Sequence, residues 1–146
     1  MKIASYKATR PGAAGLFNRA VRWWRSSAYS HNELVFSDGQ CASFSWMDKG
    51  ARIKTIELSP DKWDFVDVPA DCDEAAARAW FEARIASQDR SKRRYNLWLL
   101  LAFVLPFLAR HAAKLGHVCS TGIADALGNP EPWRIDPALL HNLYSR

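Results

Sequence analysis

Apolar residues alternate with polar ones through most of the first half of the chain and recur at helical spacing through the second. Residues 2–8 (KIASYKA) alternate loosely and predict a short strand. Thr9-Arg10-Pro11-Gly12 breaks the pattern. Leu16, Phe17, Ala20, Val21 and Trp24 then fall on one helical face, predicting a basic amphipathic helix over 13–26. Residues 30–37, 41–47, 51–58 and 63–68 read as successive strands. Asp38-Gly39, Asp48-Lys49-Gly50 and Ser59-Pro60-Asp61-Lys62 mark the turns between them. Short connections of this kind join antiparallel neighbours, so a meander of about four strands is expected.

Helical signals take over after residue 70. Asp71 with Glu74 fits a capping box, and Ala77, Trp80, Phe81 and Ile85 form the stripe expected to be buried. Ser87 to Arg94 is polar and basic and reads as a solvated loop. An apolar helix is expected over about 96–113. Its most apolar run, Leu97 to Ala109, is short of the roughly 20 residues needed to span a bilayer and is interrupted by Pro106, which predicts a core helix and no stable membrane insertion. Another helix opens at Cys119 and stops at Gly128-Asn129-Pro130. Asp136-Pro137 pairs an N-cap with proline at the first helical position and starts the last one. Strands followed by helices predict an α+β fold, an antiparallel sheet packed with helices, in a single domain over 1–146.

Composition narrows the function classes only a little. The chain carries 20 Lys+Arg against 15 Asp+Glu, a net charge of +5 that favours anionic partners such as cell-wall polymer, lipid head groups or nucleic acid and does not by itself decide among them. The basic run Arg90, Lys92, Arg93, Arg94 has no aromatic platform near it in sequence, so no nucleic-acid partner is expected. The cysteines are Cys41, Cys72 and Cys119. An odd count argues against a disulfide framework, and their spacing matches no zinc signature, so no metal or cofactor is expected. No apolar segment precedes a cleavage site in Met1-Lys2-Ile3-Ala4-Ser5-Tyr6-Lys7, which predicts cytoplasmic synthesis without a signal peptide.

Candidate chemistry centres on Cys119. A helix N-terminus lowers a thiol pKa and presents free N–H groups that can hold an oxyanion. Cys41 lies in a strand without that advantage, and Cys72 neighbours two aspartates that raise its pKa. Among the four histidines, His31 is the best base because it lies on a central strand among apolar residues; His111, His117 and His141 are less well placed. A third group should orient the imidazole, and Glu33, Ser43 and Ser45 are the candidates, with Glu33 first because a carboxylate also stabilises the imidazolium. Tyr95 is a candidate pocket residue, and Ser43, Ser45 and Ser120 join it as substrate contacts.

Ser30-His31-Asn32-Glu33-Leu34-Val35-Phe36, Asp38-Gly39, Gly50-Ala51-Arg52-Ile53-Lys54 and a distant Cys119-Ser120 at a helix start resemble the circularly permuted NlpC-type papain-like cysteine hydrolases, in the small versions found in bacteriophage and prophage genomes. The resemblance runs from about residue 2 to 143. It implies Cys119 as nucleophile and His31 as base, with a polar third residue on the sheet. It also implies cleavage of amide bonds, with peptidoglycan stem peptides as substrate and other phage tail proteins as partners in a virion tail. Lipid or thioester acyl hydrolysis or transfer, and a catalytically silent tail module, are the alternatives.

Overall fold

A computed structural model describes residues 1–9, 19, 28–102 and 111–145. The amphipathic helix expected over 13–26 lies outside the described residues apart from Arg19, as does the apolar stretch 103–110.

Strands β1 (Lys2–Tyr6), β2 (His31–Val35), β3 (Cys41–Ser45), β4 (Gly50–Lys54) and β5 (Trp63–Asp67) form one antiparallel sheet in the order β4-β3-β2-β1-β5. The expected meander therefore holds for β2, β3 and β4 but not for β5, which crosses back to pair with β1. The reason is burial: every residue of β1 after Lys2 is buried, so this strand needs a neighbour on each edge. Residues 55–58, expected to prolong β4, leave the ladder and carry the chain across the sheet, where Ile56 and Leu58 pack beside Ala4, Tyr6 and Trp63.

Alternation divides the sheet into two faces. Ile3, Leu34, Ala42 and Phe44 share one, in a core completed by Ala77, Phe81, Ile123 and Leu140 from the helices. The register Tyr6↔His31, Ala4↔Glu33 and Ser43↔Arg52 puts His31, Glu33 and Arg52 on the other. Helix α1 (Glu74–Ala86) buries Ala77 and Phe81 and half-buries Trp80, while Ile85, expected in the stripe, is exposed. Its N-cap is Asp73, not Asp71, and the Asp73 carboxylate accepts from the Ala76 amide at 3.0 Å. Glu74 does not close a capping box. It accepts instead from the amide and hydroxyl of Ser37, at 2.9 and 2.7 Å, and ties the helix start to the end of β2.

The short helix α2 (Arg90–Arg93) forms where a solvated loop was expected. Its segment is docked on the fold: a Cβ at Gly50 would collide with the Arg93 carbonyl, and one at Gly116 would lie 2.6 Å from the Ser91 carbonyl oxygen. Helix α3 (Leu97–Ala102) follows, then a 3-10 turn at Ala113–Leu115, helix α4 (Cys119–Ala126), a second 3-10 turn at Pro132–Arg134, and helix α5 (Pro137–Tyr144). Asp136 caps α5 as expected, accepting from Ala138 and Leu139. No helix among the described residues is long and apolar enough to cross a membrane.

Candidate functional site

Cys119 is the first residue of α4 and His31 the first of β2. The body of α4 rests on the sheet through Ile123 and Ala124, and Gly122 faces the Phe44 ring with no side chain between them. This close seating brings the helix N-terminus to the start of β2. Two further devices fix it. The Thr121 hydroxyl accepts from the Val118 amide at 3.0 Å, closing the first turn. Buried Asn96 spans the approach, with its backbone N–H on the His117 carbonyl (2.9 Å) and its side-chain NH2 on the carbonyls of Ala112 (2.6 Å) and Gly116 (3.2 Å). Asn96 stands where relatives in the resembled family carry aspartate after the tyrosine, and its structural role here is to satisfy these buried carbonyls.

The His31 ring is hydrogen-bonded to Glu33, and the charges of Cys119 and Glu33 both act on it. Nε2 lies 2.6 Å from Glu33 Oε1, which leaves Nδ1 as the nitrogen available to the sulfur. The Glu33 carboxylate has no solvent exposure, and the same Oε1 also accepts from the Arg52 guanidinium. Behind it, Arg52 Nε is 2.8 Å from Asp48, whose other oxygen holds Lys54 at 2.7 Å. A buried carboxylate needs such compensation to remain ionised. Burial pushes the His31 imidazole down, but the charges and hydrogen bonds of Cys119 and Glu33 more than reverse this, and its pKa rises to about 9.

Arg52 is the site residue that sequence reasoning missed as a participant. Parity was the signal: in register with β3, it shares the Glu33 face. Ser43 and Ser45 lie on that face too. Ser43 is fully buried, with its hydroxyl donating to the Asn32 carbonyl at 2.7 Å, so it serves the sheet. Ser45 accepts from the Asp48 amide at 3.4 Å and borders a cleft of about 410 Å³ with Arg52, Trp63 and Lys54. Ser120 is fully buried and its hydroxyl lacks a hydrogen-bond partner among the described residues, so as it stands it presents nothing to a substrate.

Tyr95 adjoins the sulfur. Burial first, and then the charge of Cys119, hold its phenol well above the usual tyrosine range. Its ring meets Trp46 edge-on at 6.3 Å, and both border a groove of about 940 Å³. The basic segment forms part of this groove through Arg90, Ser91 and Arg94, together with the rings of Trp46, Tyr95 and Trp98.

The other titratable candidates do not join the site. His117 packs against Phe44 and Trp80, with each ring centroid 5.3 Å away. Burial and the Arg84 charge lower its pKa to about 4. His111 is exposed, and His141 is engaged with Ser5 and Tyr29. Burial raises the Cys41 thiol, and burial with Asp71 raises that of Cys72. No group of three or more His, Cys, Asp or Glu suited to a metal is found among the described residues.

The charges of Cys119 and Glu33 can therefore keep a proton on the His31 imidazole. The first amides of α4, which lack partners inside the helix, stand beside the Cys119 sulfur. Compared with protein-family models, curated proteins and solved structures, the chain matches none of them.

Proposed function

We propose that the protein is a thiol hydrolase that cleaves amide bonds, with its α+β scaffold arranged as a permuted papain-like, NlpC-type domain. The observation that carries this reading is the fully buried Glu33 carboxylate lodged between Arg52 and His31, with Cys119 on the same imidazole. A buried carboxylate that serves only stability has no need to be aligned with a helix-start thiol.

In this mechanism the Cys119 sulfur attacks the carbonyl carbon as a thiolate while His31 carries the proton. The oxygen that gains the electron pair is held by the α4 amides. His31 protonates the departing amine, the C–N bond breaks, and a thioester remains. Water then loses a proton to His31 as it attacks that thioester; the C–S bond breaks, releasing the acid and restoring the pair. Glu33 keeps the ring oriented, and Arg52 holds Glu33 in place.

Peptidoglycan stem peptides are the substrate this reading favours, in a phage tail-tip or tail-assembly role, and the +5 charge suits an anionic wall. Digestion of purified peptidoglycan by wild type and by Cys119→Ala tests it: product from the wild type alone is expected, and equal product from both would overturn it. A second reading, acyl hydrolysis or transfer on a lipid or thioester, draws on the exposed Trp46, Met47, Leu97 and Trp98 around the groove. Turnover of acyl esters with no release from peptidoglycan would favour it.

A further inference from the structure

The groove of about 940 Å³ is bordered by Tyr95 and Asn96, whose backbones are bound to His117, two residues before Cys119, and it has an unusual lining. Its floor and walls are apolar and wet: Trp46 is 59% exposed, Trp98 66% and Leu115 55%. Three separate segments contribute them, the β3–β4 turn, the start of α3 and the 3-10 turn, so the patch is assembled by the fold. Large exposed rings around a concavity of this size mark a ligand cleft more often than a bare surface.

The charged members of the lining are all cations, Lys49, Arg90 and Arg94, and none forms an ion pair among the described residues. Nearby carboxylates are turned to other partners, Asp48 to Arg52 and Lys54, and Asp89 to Lys92. The cations are also held in place. The close approaches at Gly50 and Gly116 press the backbone of Ser91, Arg93 and Arg94 against the sheet and the entry to α4, so the guanidinium groups start from a fixed wall. Tyr95 and Asn96 connect this wall to the entry of α4: Tyr95 forms a backbone bridge with His117, and the Asn96 amide donates to the His117 carbonyl at 2.9 Å, two residues before Cys119.

We propose that this groove is the substrate cleft of the thiol site and selects an anionic acyl substrate, one that carries a carboxylate toward Arg90 and Arg94 and lays an aromatic or other flat apolar group on Trp46 and Trp98. The inference rests on the hydrolase reading for its chemistry but not for its binding. Charge complementarity decides the class, because three unpaired cations with no acid among them draw an anion and repel a cationic peptide. The rings supply the apolar contact, and a guanidinium fork matches a carboxylate.

The test uses a matched pair of reagents, N-bromoacetyl-phenylalanine and its amide, on the intact protein. They share size, ring and electrophile and differ only in the carboxylate. In both, the Cys119 sulfur forms the S–C bond and bromide leaves with the electron pair. The acid is expected to alkylate Cys119 faster than the amide by about tenfold at low salt. Arg90→Gln/Arg94→Gln is expected to reduce that preference, read as the ratio of the two rates in the same variant, to about twofold or less. Rapid alkylation with no preference for the acid, or a preference that survives the double substitution, overturns the inference while leaving the hydrolase reading intact. If both reagents react no faster than a free thiol, the hydrolase reading fails, and the groove is judged on Cys119→Ala by calorimetry with N-acetyl-phenylalanine and its amide. Tighter binding of the acid that depends on Arg90 and Arg94 supports the inference; equal binding, or preferential capture of an oligothymidylate probe, overturns it.

Discussion

Nε2 of His31 and Oε1 of Glu33 lie 2.6 Å apart on one face of β2, and the Arg52 guanidinium from β4 closes on the same oxygen. Glu33 thus connects a proton carrier to a permanent cation across three strands, and none of the three side chains is more than 16% exposed. Removing the Glu33 charge should be costly in two ways. Glu33→Gln leaves Arg52 with Asp48 as its one remaining carboxylate, and breaking one partner out of a buried pair costs up to about 3–5 kcal/mol. It also deprives the His31 imidazolium of its counter-ion. Urea unfolding should show the lost stability, and iodoacetamide labelling at pH 7 should show Cys119 slowed by about tenfold or more, a barrier raised by roughly 1.4 kcal/mol. Labelling at the wild-type rate would detach Glu33 from the chemistry.

The proton on His31 gives a second, independent prediction. Its ring should titrate near pH 9 by NMR, raised by Cys119 and Glu33 against the lowering effect of burial. In Cys119→Ala the sulfur's contribution is gone and the midpoint should fall toward or below the ordinary 6.5. Because the folded value lies above the unfolded one, the stability His31 contributes is complete below about pH 6.5 and is lost as pH rises through about 9. Wild type should therefore lose stability over that range, whereas His31→Gln should lack this component.

His117 behaves in the opposite sense. Burial and Arg84 depress its pKa to about 4, so at neutral pH its 3.4 Å contact with Asp125 involves an uncharged ring. The unfolded chain binds a proton near pH 6.5 that the folded chain refuses until about 4, so stability is present above that window and is lost as pH falls through it. The full effect is on the order of 3 kcal/mol at 1.36 kcal/mol per pKa unit. His117→Phe, which preserves the aromatic packing on Phe44 and Trp80, should flatten this acid limb of the stability curve. An unchanged limb would assign the acid sensitivity elsewhere.

Local pattern made some of this structure legible and geometry hid the rest. Alternation and turn residues located β2, β3 and β5, and Asp136-Pro137 located the start of α5, because each signal acts within a few residues. The Cys119 helix start and the His31 strand were readable for the same reason. What the sequence did not disclose is who stands next to whom. The position of β5 beside β1 depends on an edge that only burial of β1 reveals. Asp71 was a chemically sound cap, but Asp73 took its place once Glu74 was drawn to Ser37 on another element. Arg52 read only as one position in the alternation of a strand over 51–58 until the sheet placed its head against Glu33. The basic segment 90–94 read as solvated because the glycines that dock it lie far away in sequence, at positions 50 and 116.

Gly122 tests whether the seating of α4 sets the meeting of sulfur and imidazole. Alanine in a helix interior ordinarily gains about 1 kcal/mol over glycine. Here the new methyl would lie 2.5 and 2.8 Å from Cδ2 and Cε2 of Phe44, a fully buried ring held among Trp80, Phe81 and His117. That ring has no free direction in which to move, so the helix must lift. Overpacking of this kind costs about 1–3 kcal/mol, enough to cancel the helical gain and reverse it. Gly122→Ala should therefore unfold at lower urea than wild type, and the lifted N-terminus should slow Cys119 labelling. Phe44→Leu gives the methyl room, so the double variant should regain part of both losses, a coupling that additive effects at two independent sites would not produce. Gly122→Ala at wild-type stability or above would mean that the α4–sheet spacing is slack, and that the position of Cys119 is set by Asn96 and the Thr121 cap rather than by the close approach at Phe44.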